Sequence, residues 1–304
     1  MRAKLVESVP NISEGRRRNV IDTIAQAARG EGRHVLDVDS DVDHNRSVIT
    51  IVGEPTAVAI GIDHLVEEAV ARIDLTKHHG EHPRMGAVDV IPFIPIHNVS
   101  MKDCVTLSRQ VGKKIADKYK IPVYLYEESA TNERRQNLAT IRKGEFEGFF
   151  EKIKDPEWKP DFGTANVHPT AGATAVGARQ FLVAYNINLA TADLITAKKI
   201  AAAIRGSSGG LPYVKALAFT LEQRNIVQIS MNLTNFKKTP ILRVFEVVKN
   251  EAEHYGISVL DSEIVGMVPR EALYAVASTV LRTEQFSRAS VLEDRIEDAL
   301  RNKH

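Results

Sequence analysis

The segment from His78 to Arg84 reads HHGEHPR: three imidazoles, one carboxylate and one guanidinium around a single glycine. Side chains of these types suit proton transfer and anion binding. One histidine can act as a general base, oriented by Glu81 or another carboxylate, while Arg84 clamps an anionic substrate. A second reading has His78, His79 and His82 binding a metal. It is the weaker one, because Gly80 interrupts the helix that would align them and no H-E-x-x-H pattern is present. A third is a solvated polar turn. Gly80 and Pro83 forbid a regular helix here. The run that follows, AVDVIPFIP, has the β-branched and aromatic bias of a buried strand. The reactive side chains are therefore expected on a loop at the end of a buried strand, where a scaffold can hold them still.

Other groups extend the picture. In HVLDVDSDVDH, Asp37, Asp39, Asp41 and Asp43 alternate, so an extended chain places all four on one face. An EF-hand loop starting at Asp37 would need Gly at its sixth position and Glu at its twelfth, but Val42 and Val48 stand there. The run is read instead as a strand end bringing at least one carboxylate toward the histidines. GSSGGLP follows a helix and precedes a strand, the reverse of a phosphate-binding loop. It is a turn or a flap over a ligand. The triplet Arg16, Arg17 and Arg18 reads as a solvated first helical turn.

The elements that must position these groups follow from pattern. Leu5 to Pro10 is a strand, Arg16 to Arg29 a helix, and the aspartate run forms a hairpin with Arg46 to Gly53. A helix opened by Pro55 extends to Ile73, and a strand covers Val88 to Ile94. Val99 to Lys120 is an amphipathic helix containing Cys104 as a packing residue, and Val123 to Tyr126 a strand. Asn132 to Phe162 is charged and aromatic. FGTANVHPTAGATAVG, from Phe162 to Gly177, is glycine-rich and without a period, the composition of a linker or of a loop wrapping a planar ligand. Ala178 to Leu189 is a strand, then a helix runs from Asp193 to Arg205. Two strands, Val214 to Leu221 and Ile226 to Leu233, a helix to Tyr255 and a strand from Ile257 to Val265 complete the pattern. The order β-α-β-β-α-β thus occurs twice, which predicts an α/β (α+β) chain of two ferredoxin-like halves, residues 1–177 and 178–304.

Composition narrows the function. At 304 residues, 43% hydrophobic and 26% charged, this is an ordinary globular chain. A formal net charge of +1 makes no electrostatic case for nucleic acid or an acidic membrane. One cysteine excludes an internal disulfide and suits a reducing cytoplasm. The N-terminus lacks a signal-peptide apolar core, and no run approaches the ~18–20 apolar residues of a membrane span.

The motifs VPNISEG, DVDSDVDHNRSVIT, IDLTKHHGEHPRMGAVDVIPFIP, FGTANVHPTAGATAVGAR, FLVAYNINL, LPYVKALAF, VQISMNLTN and SEIVGMVP, taken in order, resemble the formiminotransferase domain over nearly the whole chain. The resemblance implies two ferredoxin-like subdomains with tetrahydrofolate bound in a cleft between them, and a homodimer. It implies transfer of a formimino group between 5-formiminotetrahydrofolate and glutamate, a step of histidine degradation. It places the catalytic histidine on His82. It places folate contacts on Gly163, Thr164, Ala165, Asn166, Val167, His168, Pro169, Thr170, Ala171 and Gly172. A chain ending at His304 leaves no room for a cyclodeaminase domain, which is then expected on a separate protein. On this basis Asp39 and Glu81 are candidates to orient His82, Arg46 and Arg84 to hold glutamate, and Asn188 and Asn232 to meet the pterin; no metal is required. His78 and His79, outside the H-P-R step, are expected to matter less. The alternatives are a 5-formyltetrahydrofolate-dependent transferase, a non-catalytic folate-binding protein and a metal-dependent hydrolase.

Overall fold

The computed structural model describes residues 4–284 and 286–301. Contacts divide the chain into two compact units, Met1–Phe181 and Leu182–His304.

The first unit begins with one interrupted strand, β1 (Leu5–Ser8) and β2 (Asn11–Ile12), broken at Val9 and Pro10. Helix α1 (Arg18–Ala27) follows, then β3 (Arg33–Asp41), β4 (Arg46–Gly53), α2 (Pro55–Arg72) and β5 (Val88–His97). Both β1 and β2 pair with β4 on one side and β5 on the other, all antiparallel. With β3 outside β4, these strands have the order expected of a ferredoxin-like sheet. The chain then adds α3 (Met101–Tyr119), β6 (Val123–Glu127), the short α4 (Leu138–Arg142), α5 (Glu145–Lys152) and β7 (Thr174–Ala178). β7 lies between β5 and β6, parallel to both.

Two apolar layers cover this sheet. Ile24 of α1, Ile62 and Leu65 of α2, and Cys104 and Val111 of α3 pack with Ile51, Ile91 and Val176. On the other face Val90, Tyr124, Tyr126 and Ala175 pack with Ile141 of α4 and Phe149 of α5. α3 is bounded by a capping box between Ser100 and Asp103 and by left-handed Lys120. α4 and α5 are joined by Lys152, whose ammonium donates to the carbonyls of Thr140 at 2.9 Å, Ile141 at 2.6 Å and Lys143 at 3.0 Å.

The second unit is β8 (Val183–Leu189), α6 (Leu194–Ile204), β9 (Val214–Leu221), β10 (Ile226–Leu233), α7 (Ile241–His254) and β11 (Val259–Val265), followed by α8 (Arg270–Leu281) and α9 (Leu292–Arg301). Its sheet is wholly antiparallel, in the order β11-β8-β10-β9. That is again the ferredoxin-like arrangement, so the duplicated α/β fold holds. On β10, Val227, Ile229, Met231 and Leu233 are buried core residues, while Gln228, Ser230 and Asn232 alternate with them.

Two sequence expectations change. The strand expected from Ala178 begins at Val183, and the segment thought irregular to Gly177 ends in β7. TAVGA has little intrinsic strand preference. Its small side chains let it sit fully buried between two neighbours, so tertiary pairing decides its state. GSSGGLP forms a bonded turn: Arg205 donates from Nε to Ser208 Oγ at 2.7 Å, and the Leu211 amide to the Ile204 carbonyl at 2.8 Å. Among the described residues no helix is long and apolar enough to cross a membrane.

Candidate active site

The histidine loop is held by its neighbours on three sides. At its start the Leu75 amide donates to the Thr170 carbonyl at 2.9 Å. In its middle Gly80 lies against the β3–β4 turn, where a Cβ would come within 2.4 Å of the His44 carbonyl. At its end the Ala87 amide bonds Ala171 and the Ala173 amide bonds Met85, both at 2.9 Å. Ser13 adds bonds from its amide to Ala87 and from its hydroxyl to Gly86, at 2.9 and 2.8 Å. The PNISEG turn and the end of the 163–172 segment therefore both abut the loop.

The three histidines have different surroundings. His79 is exposed; its carbonyl accepts from Asn45 Nδ2 at 2.9 Å. His78 is buried. Its Nδ1 accepts from Arg84 Nε at 3.1 Å, so it carries its proton on Nε2, which donates to the Asn45 carbonyl at 2.8 Å. Burial holds His78 below the usual imidazole range. His82 is half-buried and sits 2.7 Å from Arg46, Nη1 to Nε2. A guanidinium can only donate, so Nε2 offers its lone pair and the neutral ring carries its proton on Nδ1. Burial first, then the charges of Arg46 and Arg142, holds His82 well below the usual range, against a weaker opposing hydrogen bond to the Pro83 backbone.

His44, from the β3–β4 turn, stands edge-on to His82 with ring centroids 6.2 Å apart. It is fixed by Asp41, whose carboxylate meets the His44 amide at 2.7 Å and Nδ1 at 2.9 Å. Burial would raise the Asp41 carboxyl, but these bonds prevail and hold it low. Burial pushes the Arg46 guanidinium down to about 10, reinforced by Arg142 and opposed by Asp89, Asp41 and Asp39.

Asp39 lies on β3 opposite Val48 and acts on Arg46 by its charge. The Glu81 side chain is exposed, and its amide donates to Asp43. Arg84 is buried and spent within the protein: besides His78 it holds Glu147 through two bonds of 2.8 and 2.6 Å, and Glu145 at 3.1 Å. Glu147 first, then Glu145, raises its pKa. Arg84 thus ties the loop to α5. In the 163–172 segment, Gly163 to Asn166 are exposed, while His168 and Gly172 close a tight turn with paired backbone bonds of 3.1 and 2.9 Å. Gly172 has φ +70°, which favours glycine, and a Cβ there would reach within 2.1 Å of the Met85 carbonyl. In the second unit Asn188 is buried and bonded to Asp261 and Gln228, at 2.5 and 3.1 Å. Asn232 is exposed. No group of three or more His, Cys, Asp or Glu among the described residues is arranged to hold a metal ion.

A neutral imidazole beside a guanidinium, on a loop stitched to a glycine-rich segment, is equipped to move a proton next to a bound anion. Residues 5–179 match the formiminotransferase domain, N-terminal subdomain, and residues 184–301 the formiminotransferase domain. The chain belongs to the formiminotransferase family. It is 49% identical to the glutamate formimidoyltransferase of Streptococcus pyogenes serotype M1, covering 97% of this chain and 99% of that protein. It is 48% identical to the enzyme of the same name from Thermoplasma acidophilum, over 97% and 98% of the two chains. A formimidoyltransferase-cyclodeaminase from Mus musculus is 44% identical over 91% of this chain, which corresponds to 52% of the longer protein.

His44, Asn45, Asp89, Arg142 and Glu147 were missed by sequence reasoning. Asn45 and His44 had a local signal: they form the turn of a hairpin already assigned. Asp89 sits inside a hydrophobic strand, an anomaly that marks a buried charge needing a partner. Arg142 and Glu147 lie in a generically charged stretch and carry no such mark.

Proposed function

We propose that the chain transfers a formimino group between 5-formiminotetrahydrofolate and glutamate, with His82 as the general base. The observation that carries this reading at the site is the 2.7 Å contact between Arg46 and the His82 lone pair. An α-amine is mostly protonated near neutrality, with a pKa of about 8. It attacks only after losing a proton. A neutral imidazole takes that proton, the amine nitrogen bonds the formimino carbon, and the bond from that carbon to N5 of the folate breaks. His82 returns the proton to N5. Arg46 is the ligand for the carboxylate beside the amine. Forming that charge-assisted pair draws the guanidinium from Nε2 and frees the lone pair only when substrate is seated. Asp39 balances Arg46. Residues 163–172 supply backbone contacts to the folate. Formimino rather than formyl folate is taken as the donor, on the names of the full-length relatives. A homodimer is proposed for the assembly on family grounds.

The test is turnover of 5-formiminotetrahydrofolate with glutamate, beside the 5-formyl compound. His82→Ala should lower kcat by roughly 100- to 10,000-fold while folate binding changes little. Arg46→Lys should raise the KM for glutamate more than it lowers kcat. Turnover within about tenfold of the parent in the His82 variant would remove the base assignment.

A further inference from the structure

Arg142 has no assigned role, yet its surroundings are those of a ligand-binding cation. It ends α4 with its side chain 15% exposed and pairs with Asp89, whose side chain is 3% exposed. The other Asp89 oxygen accepts the Met85 amide at 2.7 Å. Met85 lies three residues beyond His82, so the Arg142–Asp89–Met85 brace anchors this guanidinium at the end of the histidine loop. Its Nε–H is buried without an acceptor. Leaving such a donor unmet is costly, and sites that later receive a ligand are where that cost is tolerated. Arg142 is close enough to act by its charge on both Arg46 and His82. Arg46 meanwhile spends a hydrogen bond on a neutral ring. Arg142 thus contacts one carboxylate, Asp89, while Arg46 hydrogen-bonds the His82 ring.

We propose that Arg142 is a specificity-determining residue that binds the side-chain carboxylate of the amino-acid substrate, while Arg46 takes the α-carboxylate. The assignment of the two carboxylates follows from position. Arg46 touches the base that must meet the α-amine, and the α-carboxylate is the amine's immediate neighbour. Arg142 stands on a separate element, α4, paired with Asp89 and with its Nε–H unmet, available to the distal group. The proposal rests on the transfer to glutamate proposed above.

The test compares the full chain with R142Q and R142K. In R142Q the KM for glutamate should rise tenfold or more, with the KM for folate within about twofold, and the preference for glutamate over glutamine should collapse; R142K should retain part of it. An unchanged glutamate KM accompanied by a lowered melting temperature assigns Arg142 to structure alone and overturns the proposal. Calorimetric titration with glutarate, which has both carboxylates and no amine, reads binding without turnover. Weaker binding by R142Q than by the parent supports the proposal even if no formimino transfer is seen, and then only the reaction is in error. Glutarate bound equally by both proteins, or by neither, overturns it.

Discussion

His82 and Glu7 show how burial moves two ionisable groups in opposite chemical senses. Burial and cationic neighbours keep His82 unprotonated. In the empty enzyme the acid limb of kcat/KM should therefore lie below the ordinary imidazole range, and Arg46→Gln should shift it upward by removing a repelling charge. A pH profile whose limb does not move in that variant would show that Arg46 does not control His82. Glu7 on β1 is 6% exposed, its Oε2 has no hydrogen-bond partner, and burial raises its pKa to about 7 against the weaker pull of Arg179. The folded state then holds the Glu7 proton more tightly than the unfolded state. Its contribution to stability is complete below the unfolded value of 4.5 and is lost as pH rises through about 7. Glu7→Gln should make the protein more stable than the parent at pH 8, by up to on the order of 3 kcal/mol, and little different near pH 4. Urea titrations at the two pH values measure this.

The histidine loop is positioned as an element, through the β3–β4 turn, α5 and the 168–173 turn, and its residues differ in what they hold. Sequence reasoning treats His78 and His79 alike, but the structure separates them. His79→Ala should leave kcat within about twofold, since its ring is exposed. His78→Ala should cost about 1–3 kcal/mol of stability, because Arg84 Nε and the Asn45 carbonyl both lose a buried partner. Gly80→Ala forces the loop off the hairpin, since the new Cβ would meet the His44 carbonyl at 2.4 Å. It should lower kcat more than it raises either KM. Steady-state kinetics paired with thermal melts distinguish the three; equal effects of His78→Ala and His79→Ala would contradict the placement of the loop.

Across the whole molecule, each unit closes a sheet and a core of its own. The first encloses α1, α2 and α3 against one sheet face and α4 and α5 against the other. The second packs Val183, Ile187, Ile229 and Val244 in a separate four-stranded unit. Separate cores favour unfolding in parts. Scanning calorimetry should give a calorimetric enthalpy larger than the van't Hoff value, or two resolved transitions. One transition with matching enthalpies would show instead that the chain unfolds as a single cooperative body.

Local pattern alone determined the elements whose periodicity and boundaries agree. β4 was delimited at Arg46 and Gly53 because its alternation is strong and its flanks are turns. α2 was opened by Pro55 at its first position, and the repeated element order named both ferredoxin-like halves. The histidine loop was legible for a similarly local reason: imidazoles, a carboxylate and a guanidinium crowd around Gly80 and Pro83. Tertiary structure decided the rest. β7 is a strand only because β5 and β6 flank it. Arg84 faces α5 rather than an open site because Glu145 and Glu147, some sixty residues on, supply its carboxylates. The group against His82 is Arg46, across the loop from a neighbouring hairpin. Such pairings join residues that share no local pattern, and their energies arise from burial and charge that exist only once the chain has folded.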